Sequence, residues 1–218
     1  MAVSDLPSVG VRIREERLRR GISLRALARD VGVSASMISQ IETGKSRPSV
    51  STLYAITSAL GMSIEEVFTS GEQVEVGEPA PPQVTGASQD PALAVLTAPG
   101  TRRRHRELGP LVHPDGRQVL RLDSGVTWER LGELHDRSVD FLLITYAPGA
   151  SSSSRSELMR HSGAEYGYLL RGELVLTLGF EEVHLRPGDA ISFDSKTPHG
   201  YRNDGTEPAV GVWFVLED

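Results

Sequence analysis

The chain has 218 residues, of which 39% are hydrophobic and 24% charged, a composition typical of folded proteins and unlike that of disordered or collagen-like chains. No run approaches the roughly 18 consecutive apolar residues of a membrane span, and the first ten residues lack the layout of a signal peptide, which predicts a cytoplasmic protein without a membrane partner. Because the sequence contains no cysteine, disulfides, thiolate metal sites and cysteine nucleophiles are excluded, and any metal must be held by His and carboxylate.

The net charge of −6 is divided unevenly along the chain. Residues 1–70 carry nine Lys+Arg against seven Asp+Glu, a balance of +2, whereas residues 71–218 carry 14 against 22, a balance of −8. A basic segment favours a polyanionic partner, and an acidic segment is repelled by one. The charge distribution therefore predicts that only the N-terminal part binds nucleic acid.

Three segments that differ in composition and hydrophobic pattern predict a multidomain fold of α and β parts. In residues 1–70, apolar side chains recur at helical spacing and indicate a bundle of about five helices. Residues 71–92 are rich in Gly, Pro, Ser and Gln and read as a linker. Residues 93–218 contain short apolar runs between turn residues, with no room for crossover helices, which predicts an antiparallel β-sandwich or β-barrel.

Several residues mark where the predicted helices begin and end. Ser23 and Ser34 precede apolar runs, Gly32 follows one, and the segment from Ser63 to Glu66 has the pattern of a capping box. The first helix is the least regular, because the apolar face begun by Val9 and Ile13 is not continued by the charged residues after them. We predict that its arginines form a solvated face: Arg12, Arg14, Arg17, Arg19 and Arg20.

Two of these helices, joined by a turn at Gly32 and Val33, make a helix-turn-helix. The apolar residues of the pair pack on a common core, and small or polar side chains face outward. Residues 21–68 contain the pattern "LA…VGVS…ISQIETGK…PS…L…IT.AL", which closely resembles the phage-repressor-like (Xre-type) helix-turn-helix family. That resemblance implies a DNA-binding domain in residues 1–70.

The resemblance also assigns residues to the DNA interface. It places base contacts on the second helix and phosphate contacts on the loop after it and on the helix before it: Arg25, Ser34, Ala35, Ser36, Ser39, Gln40, Lys45, Ser46 and Arg47. Gln40 is the predicted specific contact, since its amide can pair with adenine in the major groove. The second helix has no Arg or Lys to read guanine, so we expect a homodimer on a palindromic double-stranded operator.

The segment from Pro148 to Asn203 resembles the cupin superfamily. His161 is followed by Glu165 and Gly172 at the spacing of its first motif, and its second motif is matched by Gly188, His199 and Asn203. The resemblance implies a jelly-roll type antiparallel β-barrel over residues 93–218. It also implies a two-His, one-carboxylate metal set of His161, Glu165 and His199 that suits Fe, Zn, Mn or Ni.

Two features leave the role of this set open. Met159 stands where the cupin pattern has a further His, so the set has one imidazole fewer than usual. Without a metal, the same residues would orient an organic effector or hydrogen-bond to one another. An interior of this size has room for one small ligand, and Met159 and Tyr201 are the predicted lining residues of that pocket.

Other aromatic and imidazole side chains receive structural interpretations. We predict exposed loop positions for His105, His113 and His135, while His184 can face either way. We predict core positions for the remaining aromatic residues in the strands: Trp128, Tyr146, Tyr168, Phe193, Tyr201 and Trp213.

A helix-turn-helix joined to a ligand-binding barrel predicts a transcriptional regulator without catalytic residues, in which an effector or metal alters operator affinity. The alternative is a non-haem Fe(II) oxygenase, since the hydroxypropylphosphonate epoxidase family has the same domain order and a comparable His, Glu and His set. A third interpretation is a cupin dimer whose helices serve only in assembly. The DNA-reading surface favours the regulator, because an enzyme has no need of it.

Overall fold

A computed structural model describes residues 9–68, 111–132, 139–153 and 157–216. The helices and the strands from residue 117 onward belong to one compact unit. The predicted linker at 71–92, the start of the predicted cupin segment at Leu93, His105 and His135 lie outside the described residues, so the domain boundaries stay predictions. No helix in the described part of the chain is long and apolar enough to cross a membrane.

Among the described residues, five helices precede the strands, as predicted. They are α1 (Val9–Arg19), α2 (Leu24–Val31), α3 (Ala35–Glu42), α4 (Val50–Leu60) and α5 (Ile64–Phe68). The predicted caps are present: Ser23 and Ser34 accept hydrogen bonds from backbone amides of the first turns of α2 and α3, and Gly32 ends α2 in the left-handed conformation. Ser63 and Glu66 exchange the two hydrogen bonds of a capping box ahead of α5.

The helices enclose a core of fully buried aliphatic side chains. Each of them has at most 1% of its surface exposed: Ile13, Leu27, Ile38, Ile41, Leu53, Ile56, Leu60 and Ile64. Two positions depart from the predicted solvated face of α1: Arg12 is half-buried, with one guanidinium nitrogen inaccessible to water, and Arg17 is buried. Arg17 is 6% exposed and donates two hydrogen bonds to the buried carboxylate of Glu42 in α3. Arg17 therefore continues the buried face of α1 as an ion pair, which is why the apolar pattern stops there.

Nine strands in the described part of the chain form two antiparallel sheets. They are β1 (Val119–Arg121), β2 (Val126–Gly132), β3 (Val139–Tyr146), β4 (Ala164–Arg171), β5 (Leu174–Leu178), β6 (Glu181–Leu185), β7 (Ala190–Asp194), β8 (His199–Arg202) and β9 (Ala209–Leu216). The order is β1-β2-β3-β9-β4-β7 in the six-stranded sheet and β6-β5-β8 in the three-stranded sheet. The predicted antiparallel jelly-roll architecture is confirmed, although the strands of the described residues make two sheets and no closed barrel.

Strand alternation separates an inner from an outer face of the larger sheet. Trp128 and Trp213 are each 2% exposed, and Tyr146 and Tyr201 are also buried, which confirms their predicted core positions. Tyr168 was wrongly placed in the core: it is 46% exposed, because it follows Glu165 by three positions and points to the opposite face of β4. Phe193 is half-buried, whereas His113 and His184 are exposed.

Candidate DNA-binding surface and metal centre

The residues predicted to contact DNA lie on the accessible side of α3 and in the loop after it. Gln40 and Ser36 are exposed, and Ser39 and Ala35 are half-buried on the same helix. The side chains that fasten α3 to the rest of the bundle, Ile38 among them, are buried on the other side. This division leaves one face of α3 available for a major groove.

Most of the flanking residues that were predicted to contact phosphates are exposed. Lys45 and Arg47 are exposed in the loop between α3 and α4, with Ser46 half-buried between them, and Arg25 is exposed in the first turn of α2. The Ser34 hydroxyl caps α3 by accepting the Met37 amide, so its oxygen already has a structural role. The sequence analysis predicted both uses for Ser34, the start of α3 and a DNA contact, and the structure shows the first of them.

Three donor groups meet at the inner side of the β domain. Glu165 projects from β4, His199 begins β8, and His161 lies in the segment just before β4 rather than on a strand. The Nε2 atoms of His161 and His199 are each 2.9 Å from Glu165 Oε1, and one ligand atom from each residue lies within 4.8 Å of the others. Their side chains are 7%, 0% and 3% exposed for His161, His199 and Glu165, so the centre is shielded from water.

Backbone carbonyls orient both imidazole rings. His161 Nδ1 is 3.1 Å from the carbonyl oxygen of Ser162, and His199 Nδ1 is 2.8 Å from that of Thr197. A ring that donates from Nδ1 leaves the Nε2 lone pair of the neutral imidazole free, which is the arrangement found in metal-ligating histidines. Both Nε2 atoms lie 2.9 Å from the same carboxylate oxygen, so either a shared proton or a bound cation can join the three groups.

The charge on Glu165 is set by competing influences. Burial works to raise its pKa, but the hydrogen bond from His161 and the contact with His199 outweigh burial and lower the pKa to about 2. Its second oxygen, Oε2, accepts a hydrogen bond of 2.8 Å from the Tyr201 hydroxyl. Burial, together with the Glu165 charge, raises the pKa of Tyr201 well above its usual value, so the tyrosine donates as a neutral phenol. Glu165 is therefore a carboxylate held in a fixed orientation.

These observations fit a divalent cation. Within the described part of the chain, the buried His199 Nε2 has no hydrogen-bond partner, because its approach to Glu165 Oε1 lacks hydrogen-bond alignment. Two imidazole nitrogens and one carboxylate oxygen are a donor set for Fe(II), Zn, Mn or Ni. A cation bound there would supply a positive charge and open coordination positions.

The predicted ligand-pocket residues lie on the inner wall of the β domain. Met159 and Tyr201 line the interior space together with Glu165 and the two tryptophans, and both are buried. That space has a free volume of about 10 Å³, enough for about one water molecule. The two tryptophans and the tyrosines fill the room that the sequence assigned to a small ligand.

The structure adds one residue to the centre that the sequence did not suggest. Tyr54 of α4 stacks on the imidazole of His161, with ring centroids 4.3 Å apart and ring planes at 5°. The sequence analysis assigned Tyr54 no role, because no local pattern relates it to His161.

Comparison with known proteins agrees with the two parts of the fold. A helix-turn-helix family model matches residues 13–67, and a cupin domain family model matches residues 142–215. The chain is a DNA-binding regulator of the helix-turn-helix type that carries a cupin domain.

Individual relatives have the same organisation along most of their length. The chain is 29% identical over 194 residues to the HTH-type transcriptional regulator PuuR of Escherichia coli K12, covering 89% of this chain and 86% of that protein. The crystal structure of an HTH_3 family transcriptional regulator from Vibrio cholerae has a TM-score of 0.60 and 24% identity, covering 97% and 96% of the two chains, and it supports the fold. The hydroxypropylphosphonic acid epoxidase of S. wedmorenis reaches a TM-score of only 0.43 at 16% identity and full-length coverage of 99% and 100%, which carries no weight for function.

Proposed function

We propose that the protein binds a palindromic operator as a homodimer through α3 and that its cupin domain senses a divalent cation bound by His161, Glu165 and His199. The observation that carries the proposal is that one ligand atom from each of His161, Glu165 and His199 lies within 4.8 Å of the others, in a chain that also has an accessible face on α3. Cation binding would favour one arrangement of the chain and thereby change operator affinity.

The free volume inside the β domain favours a cation over an organic effector at the centre. About 10 Å³ accommodates a small ion but not an organic molecule, unless the side chains around it move. A small-molecule effector has a better location in a cleft of about 400 Å³ that lies between α2, α3 and α4 and residues 157–160. That volume falls in the range of roughly 300–1,000 Å³ for ligand sites, and Met159 lines both the cleft and the interior.

The alternative of an Fe(II) oxygenase has less support. Such an enzyme needs space for its substrate beside the metal, and Tyr54 and the interior aromatic side chains occupy the surroundings of the centre. We therefore propose a sensor without catalytic residues, in which the centre binds a cation and the helical domain changes its affinity for the operator.

The reading residue is tested by Gln40→Ala. If the Gln40 amide pairs with a base, we expect loss of about 1–3 kcal/mol per half-site, roughly 5- to 150-fold in affinity, with relaxed discrimination at one base pair. Fluorescence anisotropy on an operator duplex, selected from random sequence with the wild-type protein, measures this against a scrambled duplex at fixed salt.

Two control variants distinguish loss of a base contact from a general loss of DNA binding. Lys45→Ala removes a predicted phosphate contact, so it should weaken binding to both duplexes alike and make the salt dependence shallower. Ser192→Ala changes an exposed residue of β7 and should leave both affinities unchanged. Wild-type protein that binds the two duplexes equally, or Gln40→Ala protein with unchanged discrimination, would contradict the assignment of α3 as the reading helix.

The homodimer is proposed to form through the outer face of the six-stranded sheet. This face presents apolar side chains of β3, β4 and β9, of which several are more than a third exposed: Tyr166, Tyr168, Leu170, Phe214 and Leu216. Phe141 stacks on Phe214 at 4.4 Å, which makes the surface continuous. A second copy offers the same apolar face, so a two-fold contact would cover both and would match a palindromic operator.

A charge placed on this face should disrupt the dimer. We expect Phe214→Glu to shift the protein from dimer to monomer at micromolar concentration, because a buried, unpaired carboxylate is costly in an apolar interface. Light scattering coupled to size-exclusion chromatography measures the mass. Phe180→Glu is the matched control, since Phe180 is fully exposed in the β5–β6 turn. A monomeric wild type, or a dimeric Phe214→Glu protein, would argue against this interface.

A further inference from the structure

Helix α4 of the DNA-binding domain forms part of the wall around the interior of the cupin domain. Val50 and Tyr54 of α4 line the same interior space as Glu165 and Tyr201. Both α4 side chains are buried, Val50 at 1% and Tyr54 at 5% exposure. The centre is therefore closed on one side by a helix of the helix-turn-helix domain.

The contact between the two parts is specific at His161. The Tyr54 ring lies parallel to the imidazole, at 4.3 Å and 5°, and meets Trp128 edge-on at 5.9 Å and 63°. His161 is also one of the three candidate cation ligands, and its Nε2 faces Glu165. The ring of His161 cannot change its orientation without separating from Tyr54 or displacing it.

The first turn of α4 is joined to the β domain through its backbone. The Ser51 amide donates to the Ser152 carbonyl at 3.0 Å, and the Asp123 amide donates to the Pro48 carbonyl at 2.9 Å. Pro48 directly follows Lys45, Ser46 and Arg47, the loop predicted to contact phosphates. A displacement of α4 would therefore move the DNA-contacting loop.

We propose that Tyr54 is the positioning residue that couples the His161–Glu165–His199 centre to DNA binding. A cation held by His161, Glu165 and His199 would change the contact between His161 and Glu165, and Tyr54, stacked on His161, would pass that change to α4 and the loop before it. By linkage, DNA bound to the loop alters cation affinity by the same factor. This inference rests on the proposed function, in that it requires both operator binding and a cation at the centre.

The test measures Zn²⁺ affinity of the full chain with and without saturating operator duplex. For the wild type, we expect the two dissociation constants to differ by about 5- to 150-fold, the usual range of allosteric coupling. Tyr54→Phe keeps the aromatic stack and should keep this ratio. Tyr54→Leu removes the ring and should bring the ratio close to one, while the variant still binds Zn²⁺ and the duplex separately.

The outcomes separate the inference from the proposed function. A Tyr54→Leu protein with the wild-type ratio, or a wild type that binds both partners with a ratio of one, overturns the coupling through Tyr54 and leaves DNA binding and cation binding standing. A wild type that binds no Zn²⁺ or no operator overturns the proposed function, and the inference with it.

A measurement on the wild type avoids dependence on the folding of the leucine variant. With ¹³C-labelled tyrosine, the chain has five ring signals, and the signal that disappears in Tyr54→Phe belongs to Tyr54. We expect Zn²⁺ to shift this signal, because the Tyr54 ring is stacked on the imidazole of His161, one of the candidate ligands. A Tyr54 signal that stays unchanged on saturation with Zn²⁺ overturns the inference.

Discussion

Replacing Glu165 by Gln is expected to abolish cation binding at the centre. The amide keeps the size of the side chain but removes its negative charge. Glu165 is the only carboxylate in the set of three residues. Loss of an outer-shell partner alone costs roughly 10- to 100-fold in metal affinity, so loss of an anionic ligand should exceed about 100-fold. Isothermal titration with Zn²⁺ on the full chain, monitored at fixed pH, measures the affinity.

Two further variants serve as a control and as an independent test of the centre. Glu173→Gln removes an equally charged but exposed carboxylate in the β4–β5 turn, and its Zn²⁺ affinity should equal that of the wild type. His199→Ala removes the imidazole whose Nε2 lies 2.9 Å from Glu165 Oε1, and it should lose binding as Glu165→Gln does. Undiminished Zn²⁺ binding by both centre variants would show that the cation is held elsewhere.

Replacing Arg17 by Met should strongly destabilise the helical domain. Arg17 and Glu42 join α1 to α3 through two hydrogen bonds of 2.6 Å and 2.9 Å, and their side chains are only 7% and 4% exposed. Removing one partner leaves a buried carboxylate without its counter-charge, for which a cost of about 3–5 kcal/mol is expected. Urea unfolding followed by the helical circular dichroism signal measures the change.

An exposed ion pair on the same helix provides the matched control. Arg19 pairs with Glu16, but the Arg19 side chain is 68% exposed, so Arg19→Met should leave the stability nearly unchanged, because solvent screens an exposed ion pair. The double variant Arg17→Met with Glu42→Leu should recover much of the lost stability, because neither charge then remains buried alone. Equal stability of the Arg17→Met and Arg19→Met proteins would refute a structural role for the buried pair.

The helix-turn-helix was predictable nearly residue by residue, because its signals are local. Ser23, Ser34 and Gly32 act within one turn of the helix that they begin or end. The sequence within a few positions of each residue is therefore enough to predict the helix boundary. The exception is Arg17. Its partner Glu42 is 25 positions away, and a charged residue at the end of an apolar pattern ordinarily indicates solvent.

The candidate centre was predictable from motif resemblance, but its surroundings were not. The spacing of His161, Glu165 and His199 predicted that they converge, and the structure brings them together, although His161 approaches from a loop instead of from a strand. The side-chain volumes that fill the interior became visible only after the two sheets were packed. Tyr168 could have been placed correctly from strand alternation, because it is an odd number of positions from Glu165 on β4 and therefore lies on the opposite face.

Secondary structure, helix caps and the identity of the donor residues follow from patterns within a few positions of one another, where local backbone preferences and side-chain alternation dominate. The stacking of Tyr54 on His161, the buried pairing of Arg17 with Glu42 and the apolar outer face shared by β3, β4 and β9 depend on contacts across the fold. Tyr54 and His161 are 107 positions apart, and no local preference of the backbone relates two such residues. Their contact is a result of packing α4 against the sheets.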